Sequence, residues 1–427
     1  MEILRPIISL FLLIGILWLA SSNRRAISWS LVLKGLIIQF ILAFLILELD
    51  WVSNGFDWIG RGFVSLLGFA REGSLFLFGD LVGNTDSFGY IFAFQVLPTI
   101  IFFSAITSLL FHFGILQKVV FVFAWFMKRT LKLSGAESLS AAANVFVGQT
   151  EAPLLVKPYI KGMTRSELMC LMTGGMSTIA GAVLAAYINY LGGDDPERQI
   201  FFARHLLAAS VMSAPAAIVG AKILLPETEN FVDSAEVKIN KQGNWLEAIA
   251  HGTADGLKMS VNVGVMLLVF TAIIALINAL LNGAIGSWTG LNEFIESSTS
   301  GRYTEFNLQS IFGIALAPLT WLMGVPWSDA ASVGQLLGEK TVLNEFYAYV
   351  SMEGLMDNGQ LNSEKAQILS TYILCGFANF ASIGIQIGGI GALAPSRRKE
   401  LSELGLRALL AGTAASLFTA ILVGILY

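Results

Sequence analysis

The strongest candidates among ionisable side chains within apolar sequence are Glu151, Lys340 and Glu345. At membrane depth such groups are costly, and they point to binding or transport before they point to packing. An ionised carboxylate only accepts hydrogen bonds, so one carboxylate can take both hydroxyls of a vicinal diol. The carboxamides of Gln149 and Asn379 offer donor and acceptor side by side, which matches the edge of a planar heterocycle. Phe377 either presents an aromatic face or is ordinary core. Thr150 and Ser382 add hydroxyls. The set suits a polar, uncharged, hydrogen-bond-rich solute such as a nucleoside or a sugar. The plainer reading is that Glu151 and Glu345 reach water and are solvated. Lys340 is expected to neutralise a nearby carboxylate or hairpin-end carbonyls rather than touch the solute.

A monovalent-cation site is also arguable. Sodium takes hard oxygens, and carbonyls freed at half-helix ends supply them. Asn144 and the Val147 carbonyl precede the Gln149-Thr150-Glu151 run; Thr178 and the Ile179 carbonyl follow the Gly174-Gly175 pair, where a helix can unwind. The alternative is that Asn144 and Thr178 bond to each other or to backbone.

These residues need a membrane scaffold. Hydrophobic residues make up 55% of the 427 and charged ones 13%, with mean hydropathy +0.70; soluble domains carry about 25% charge. A soluble enzyme and a disordered chain are excluded, and a net charge of −4 supplies no footprint for nucleic acid. Long unbroken apolar runs exclude an outer-membrane barrel. The two cysteines cannot form a disulfide framework, and the three histidines show no metal-ligand spacing.

Eight segments are long enough to span: 6–20, 27–49, 93–125, 167–190, 203–224, 258–285, 366–394 and 402–427. The first is read as a retained helix rather than a signal peptide. Lys and Arg cluster at 24–25, 128–132, 157–165, 238–258 and 397–399, which puts those loops in the cytoplasm and both termini outside it. Residues 138–156 are flanked by basic clusters at both ends, so they read as a re-entrant hairpin broken at Gly148, with Pro153 opening its second half. Residues 307–327 read as an embedded or interfacial helix, and 328–350 as a second hairpin from the other side. Hairpins of opposite entry suggest an inverted repeat, with Gly148 set against Gly338 and Gly174 against Gly376. The expected division is helices 1–3 with an outer-face segment 51–90 (1–130), a first repeat (131–224), a cytoplasmic connection (225–257), helix 6 with an outer loop (258–306) and a second repeat (307–427).

At the runs Ser140–Pro153, Gly338–Phe346 and Cys375–Asn379 the chain resembles the bacterial concentrative nucleoside transporters; Gly338-Glu339-Lys340-Thr341-Val342-Leu343-Asn344-Glu345-Phe346 fits that family's G-x-K-x3-N-E-F signature. The resemblance covers almost the whole length. It implies an all-α polytopic protein, a homotrimer with an eight-helix core, and a transport domain that moves as an elevator in a bacterial inner membrane. It implies nucleobase contacts from Gln149, Thr150, Glu151 and Val183, and ribose contacts from Glu345, Asn379 and Ser382, with Phe377 beside them. It maps sodium onto Asn144, Val147, Thr178 and Ile179, with Thr178 standing where a close bacterial pattern has Ser. The expected activity is sodium-coupled nucleoside import without a cofactor. Proton coupling through Glu151 or Glu345 stays open, and a channel or an intramembrane enzyme is the reading from another class.

Overall fold

A computed structural model describes residues 3–229 and 244–427. These residues are almost wholly helical. The amino-terminal part has α1 (Leu4–Ala20), α2 (Trp29–Glu48), α3 (Asp50–Phe78), α4 (Leu97–His112) and α5 (Ile115–Leu131). The first broken unit follows: α6 (Gly135–Asn144), α7 (Arg165–Ser177), α8 (Gly181–Gly192) and α9 (Pro196–Leu224). Then come α10 (Trp245–Ala279) and α11 (Leu308–Leu322). The second broken unit has α12 (Trp327–Val342), α13 (Glu345–Asp357), α14 (Glu364–Leu374), α15 (Phe380–Leu393) and α16 (Arg398–Leu426).

Among the described residues, six helical stretches are long and apolar enough to cross a bilayer, and the pair α11–α12, bent by 118°, makes a seventh if counted as one span. Burial sorts them. The apolar stretch through α7 and α8 is 94% buried, whereas the stretch that includes α10 is 6% buried. A helix apolar all round and buried is interior; one apolar all round and exposed faces lipid or another chain. So α7, α8, α9 and α16 form the interior, and α4 with α10 lies outside it. Gly252 and Gly256 of α10 sit directly against Ser108, Ala105, Ser104 and Ile101 of α4, the small-residue contact that lets two membrane helices approach.

The first broken unit begins and restarts on caps written in the sequence, and the second restarts on them. Ser134 with Glu137 and Thr164 with Glu167 form capping boxes at α6 and α7. Asn344 accepts from Tyr347 N–H at 2.8 Å to start α13, and Asn379 from Ser382 N–H at 2.9 Å to start α15. The first hairpin turns through 145–151, and Pro153 lies in the first turn of Ala152–Leu155. In the second hairpin Gln335 reaches Ser351 at 3.4 Å and Ser332 reaches the Gln360 carbonyl at 2.8 Å, so α12 and α13 run antiparallel around 343–344.

Several expectations need correction. The span 93–125 is two helices, because Gly114 adopts a left-handed φ of 76° and ends α4. The segment 51–90 contains the long α3, whose Asp57 makes a bidentate pair with Arg204 of α9. The connection 225–257 is shorter than expected, since α10 already starts at Trp245 and Lys258 lies within it; residues 230–243 of that connection, with Lys238 and Lys241, lie outside the described residues. The second hairpin runs to Asp357, beyond 350. The repeat pairing was out of register: Gly148 lies in a turn while Gly338 lies inside α12, and Gly174 lies inside α7 while Gly376 lies in the break before α15.

The two broken helices cross at that last glycine. Gly376 has φ 98°, and a Cβ there would stand 2.5 Å from the Ser177 carbonyl carbon and 2.6 Å from its oxygen. Gly376→Ala therefore meets both a left-handed backbone, about 1–3 kcal/mol for a non-glycine residue, and an unyielding backbone contact. A melting temperature several degrees below wild type is expected in detergent; an unchanged one would contradict this crossing.

Candidate functional site

The breaks and the two hairpin tips meet around a cavity of about 460 Å³. Gln149, Thr150 and Glu151 line it from the first hairpin and Val183 from α8. Glu345 lines it from the second hairpin, and Phe377, Asn379 and Ser382 from the second break. All eight residues expected to touch a solute are thus in one place.

Their side chains form a connected chain. The Glu345 carboxylate accepts from Tyr187 O–H at 3.1 Å on one oxygen and from Asn379 Nδ2 at 2.8 Å on the other. Ser382 is tied to Asn379 through its backbone, and its hydroxyl accepts from Gln149 Nε2 at 3.2 Å. Gln149 Oε1 accepts in turn from Gln386 Nε2 at 3.1 Å, which also donates to the Met172 carbonyl at 2.9 Å. Glu151 folds back to accept from Gly148 N–H, so part of its role is to hold the hairpin tip. Gly175 permits this crowding, since a Cβ there would meet Gln386 Nε2 at 2.7 Å and Gln149 Cβ at 2.9 Å.

Helix dipoles divide the region. The amino ends of α13 and α15, at Glu345 and Phe380, bring partial positive charge to the cavity. The carboxyl ends of α6 and α7 bring partial negative charge behind it, at Asn144 and Ser177. There Asn144 donates through Nδ2 to the Ser140 carbonyl at 3.0 Å, while its Oδ1 is buried with no hydrogen-bond partner among the described residues. Thr178 donates to the Gly174 carbonyl at 3.0 Å, and Gly174 packs directly on the Asn144 amide. Val147 and Ile179 are buried, and among the described residues no hydrogen bond reaches either carbonyl. An orphaned amide oxygen beside two free carbonyls and a hydroxyl oxygen fits a small hard cation. Ser177 is taken up in packing, its hydroxyl bonded to the Thr173 carbonyl.

Lys340 lies apart from the cavity. Its ammonium donates to the carbonyls of Ile373 (2.8 Å) and Cys375 (3.0 Å) and to Ser416 Oγ (2.9 Å), closing the carboxyl end of α14. Helix-end carbonyls, not a carboxylate, are what it neutralises.

Sequence reasoning missed four groups. Gln386 had a signal, lying one turn beyond Ser382 in an apolar helix. Asp255, Lys258 and Asn262 also line the cavity and recur at helical spacing on α10, but Asp255 reads as part of the connection and Lys258 and Asn262 as the start of the 258–285 span. Tyr187 gave no signal, because a tyrosine in an apolar run looks like core. Asn344 was noticed only within its motif, and its role is the α13 cap.

Three family models match. Residues 8–81 match the amino-terminal part and 205–424 the carboxyl-terminal part of a Na+ dependent nucleoside transporter, and 93–193 match a gate domain described as nucleoside recognition. An uncharacterized transporter of Haemophilus influenzae is 42% identical over 430 residues, covering 100% of this chain and 98% of its own. Sodium/nucleoside cotransporter 1 of Rattus norvegicus is 41% identical over 96% of this chain; the match takes in 62% of the rat protein, so the chain spans less than two thirds of that relative. The solved structure of CNTnw in an inward-facing substrate-bound state superposes with a TM-score of 0.89 at 37% identity, covering 100% of this chain and 98% of that one.

Proposed function

The chain belongs to the Na+-dependent nucleoside transporter family, whose members are transporters and not enzymes, and on that premise we propose that it imports nucleosides by sodium-coupled symport. The observation that carries this reading is the convergence of Gln149, Glu345, Asn379 and Ser382 on one cavity. Carboxamides there suit a nucleobase edge, and the Glu345 carboxylate suits the ribose diol. The buried, unpartnered Oδ1 of Asn144 supports sodium as co-transported cargo. An inward sodium ion gains roughly 2.3 kcal/mol per 100 mV, about fifty-fold accumulation for one ion.

The working assembly in this reading is a homotrimer in a bacterial inner membrane. Eight spans and two re-entrant hairpins make up each protomer, both termini lie outside the cytoplasm, and alternating access is by an elevator. The exposed apolar faces of α4 and α10 suit lipid or a neighbouring protomer. Electrogenic, saturable, sodium-driven accumulation in proteoliposomes, with counterflow across a nucleoside panel, tests the function. Equilibration without accumulation would indicate a channel instead. The elevator is tested by Leu154→Cys, half-exposed beside the first hairpin, in a background lacking the buried Cys170 and Cys375. Its thiol labelling should change when sodium or nucleoside is added, and a fixed accessibility would reject the motion.

Base preference is assigned to the first hairpin. Gln149→Ala and Glu151→Ala should reorder competition among uridine, cytidine and adenosine more than Ser382→Ala does. The 3.2 Å bond between Gln149 and Ser382 sharpens the test: loss of the hydroxyl frees the Gln149 amide, so Ser382→Ala should shift all three nucleosides together. A uniform loss for all three variants counts against the assignment.

A further inference from the structure

We propose that Glu339 is a second monovalent-cation site, remote from the Asn144 site, and that the cation it takes is a proton. Glu339 is 1% exposed, and its Oε2 is buried without a hydrogen-bond partner among the described residues. Oε1 accepts from Gln335 Nε2 at 3.0 Å, and the side chains of Ser351 and Gln309 lie against the carboxyl. Every one of these neighbours is neutral. The same stretch of α12 packs closely on α11, Gly338 on Phe312 and Gly334 on Gly313, Leu316 and Ala317. An ionised carboxylate held there without a counter-charge costs several kcal/mol, so the group takes a cation or a proton.

Among the described residues no fixed charge supplies the balance. Helix α11 brings no titratable side chain. From α13 Tyr347 faces the carboxyl, while Glu345 is turned to Tyr187 and Asn379, and Glu353 and Asp357 lie toward Arg198 and Tyr190. Tyr303 reaches Gln335 Oε1 at 3.3 Å, and Arg302 is bound two turns away at Ser332 and Ser328. Lys340 points to the other side of α12, onto Ile373 and Cys375. Helix α14 meets α12 there, and at its amino end Glu364 accepts from Tyr427 O–H at 2.6 Å. A proton fits better than sodium, because sodium needs a shell of several oxygens whereas Gln335 turns its NH2 to the carboxyl, and a protonated Oε2 needs only one acceptor, which the hydroxyl oxygen of Ser351 beside it can supply.

The site touches the transport cycle through α13. Ser351 and Tyr347 belong to the same hairpin arm that carries Glu345 into the cavity. If the hairpin opens to admit solute, a step that rests on the function proposed above, water reaches Glu339 and the proton leaves; closure takes it up again.

Thermal melting of the purified chain, without nucleoside and at fixed sodium, tests the site itself. A carboxyl that is neutral when folded and ionised when unfolded stabilises most at low pH, and that contribution is lost as pH rises. Between about pH 5 and about pH 8, above the unfolded carboxylate range, the wild-type Tm should fall several degrees further than that of Glu339→Gln. Parallel curves overturn the proposal. The amide is isosteric with a protonated carboxyl, so failure of Glu339→Gln to fold also counts against a proton. A Tm that rises with sodium at fixed pH in Asn144→Ala, but not in Asn144→Ala combined with Glu339→Gln, would put sodium in the site and overturn it as well. Exchange is read with a pH indicator in weak buffer: uridine binding, by closing the chains whose hairpin is open, should take up a fraction of a proton per chain in wild type and none in Glu339→Gln. Uptake that persists in the variant rejects the site. A wild type that binds no nucleoside defeats the function reading, and the melting comparison still decides this one.

Discussion

Glu345→Gln should lower ribonucleoside uptake by at least about a hundredfold while the protein still folds and inserts. The magnitude follows from hydrogen bonds to a charged acceptor, about 1.5–3 kcal/mol each, with a diol offering two. The geometry adds a second loss. Each Glu345 oxygen already has a donor, Tyr187 O–H at 3.1 Å and Asn379 Nδ2 at 2.8 Å. A carboxamide has one acceptor atom, so its NH2 must face one of those donors. The side chain either turns away from the cavity or breaks the bond that sets Asn379. Folding is spared because Asn379 still caps α15 and Asn344 still caps α13. The discriminating measurement compares uridine with a 2′,3′-dideoxy analogue in proteoliposomes of matched protein content. Wild type should prefer uridine strongly and the variant hardly at all. Near-normal uridine uptake by a well-folded Glu345→Gln variant would remove this carboxylate from the site.

What could be read from the chain, and what could not, divides along a physical line. Helix breaks were legible because they need marked residues: Gly148 and Pro153 in the first hairpin, Gly174-Gly175 ahead of the first break, Gly376 and Asn379 at the second. Intramembrane polar residues were legible because their cost makes them rare. The helix α3 was not, since polar residues interrupt its apolar sequence and its signal is instead the one-faced recurrence of Asn54, Asp57, Arg61 and Ser65. The end of α4 was hidden because apolar sequence continues through Gly114 into α5. Repeat register failed for another reason: Gly is frequent in membrane helices and serves packing in one place and turning in another. Gly338 is a packing glycine against Phe312, whereas Gly148 belongs to a turn. Matching by residue type alone could not tell them apart.

The coupling ion gives the second large effect. Asn144→Ala and Thr178→Val should weaken the sodium dependence of nucleoside binding far more than they weaken binding at saturating sodium. None of the proposed ligands is charged: an amide oxygen from Asn144, a hydroxyl oxygen from Thr178, and the carbonyls of Val147 and Ile179. A sodium ion held by dipoles keeps its charge for the membrane field to act on. The two broken units support a cation here by contrast. At the carboxyl end of α14 the chain places its own ammonium, Lys340, on the Ile373 and Cys375 carbonyls. At the carboxyl end of α7 no such group is present among the described residues, and the facing hairpin arm offers Asn144 with a buried oxygen that has no partner among them. One helix end is closed by a fixed cation, and the other is open to an exchangeable one. Linkage makes the test quantitative, because substrate must raise sodium affinity by the same factor that sodium raises substrate affinity. Nucleoside binding across a sodium titration at fixed pH, with choline as replacement, measures that factor. It should be large in wild type, at least about tenfold for a coupling of 1.4 kcal/mol, and close to one in Asn144→Ala. An isotherm indifferent to sodium but moving with pH would reject the site and shift coupling to a protonated carboxylate.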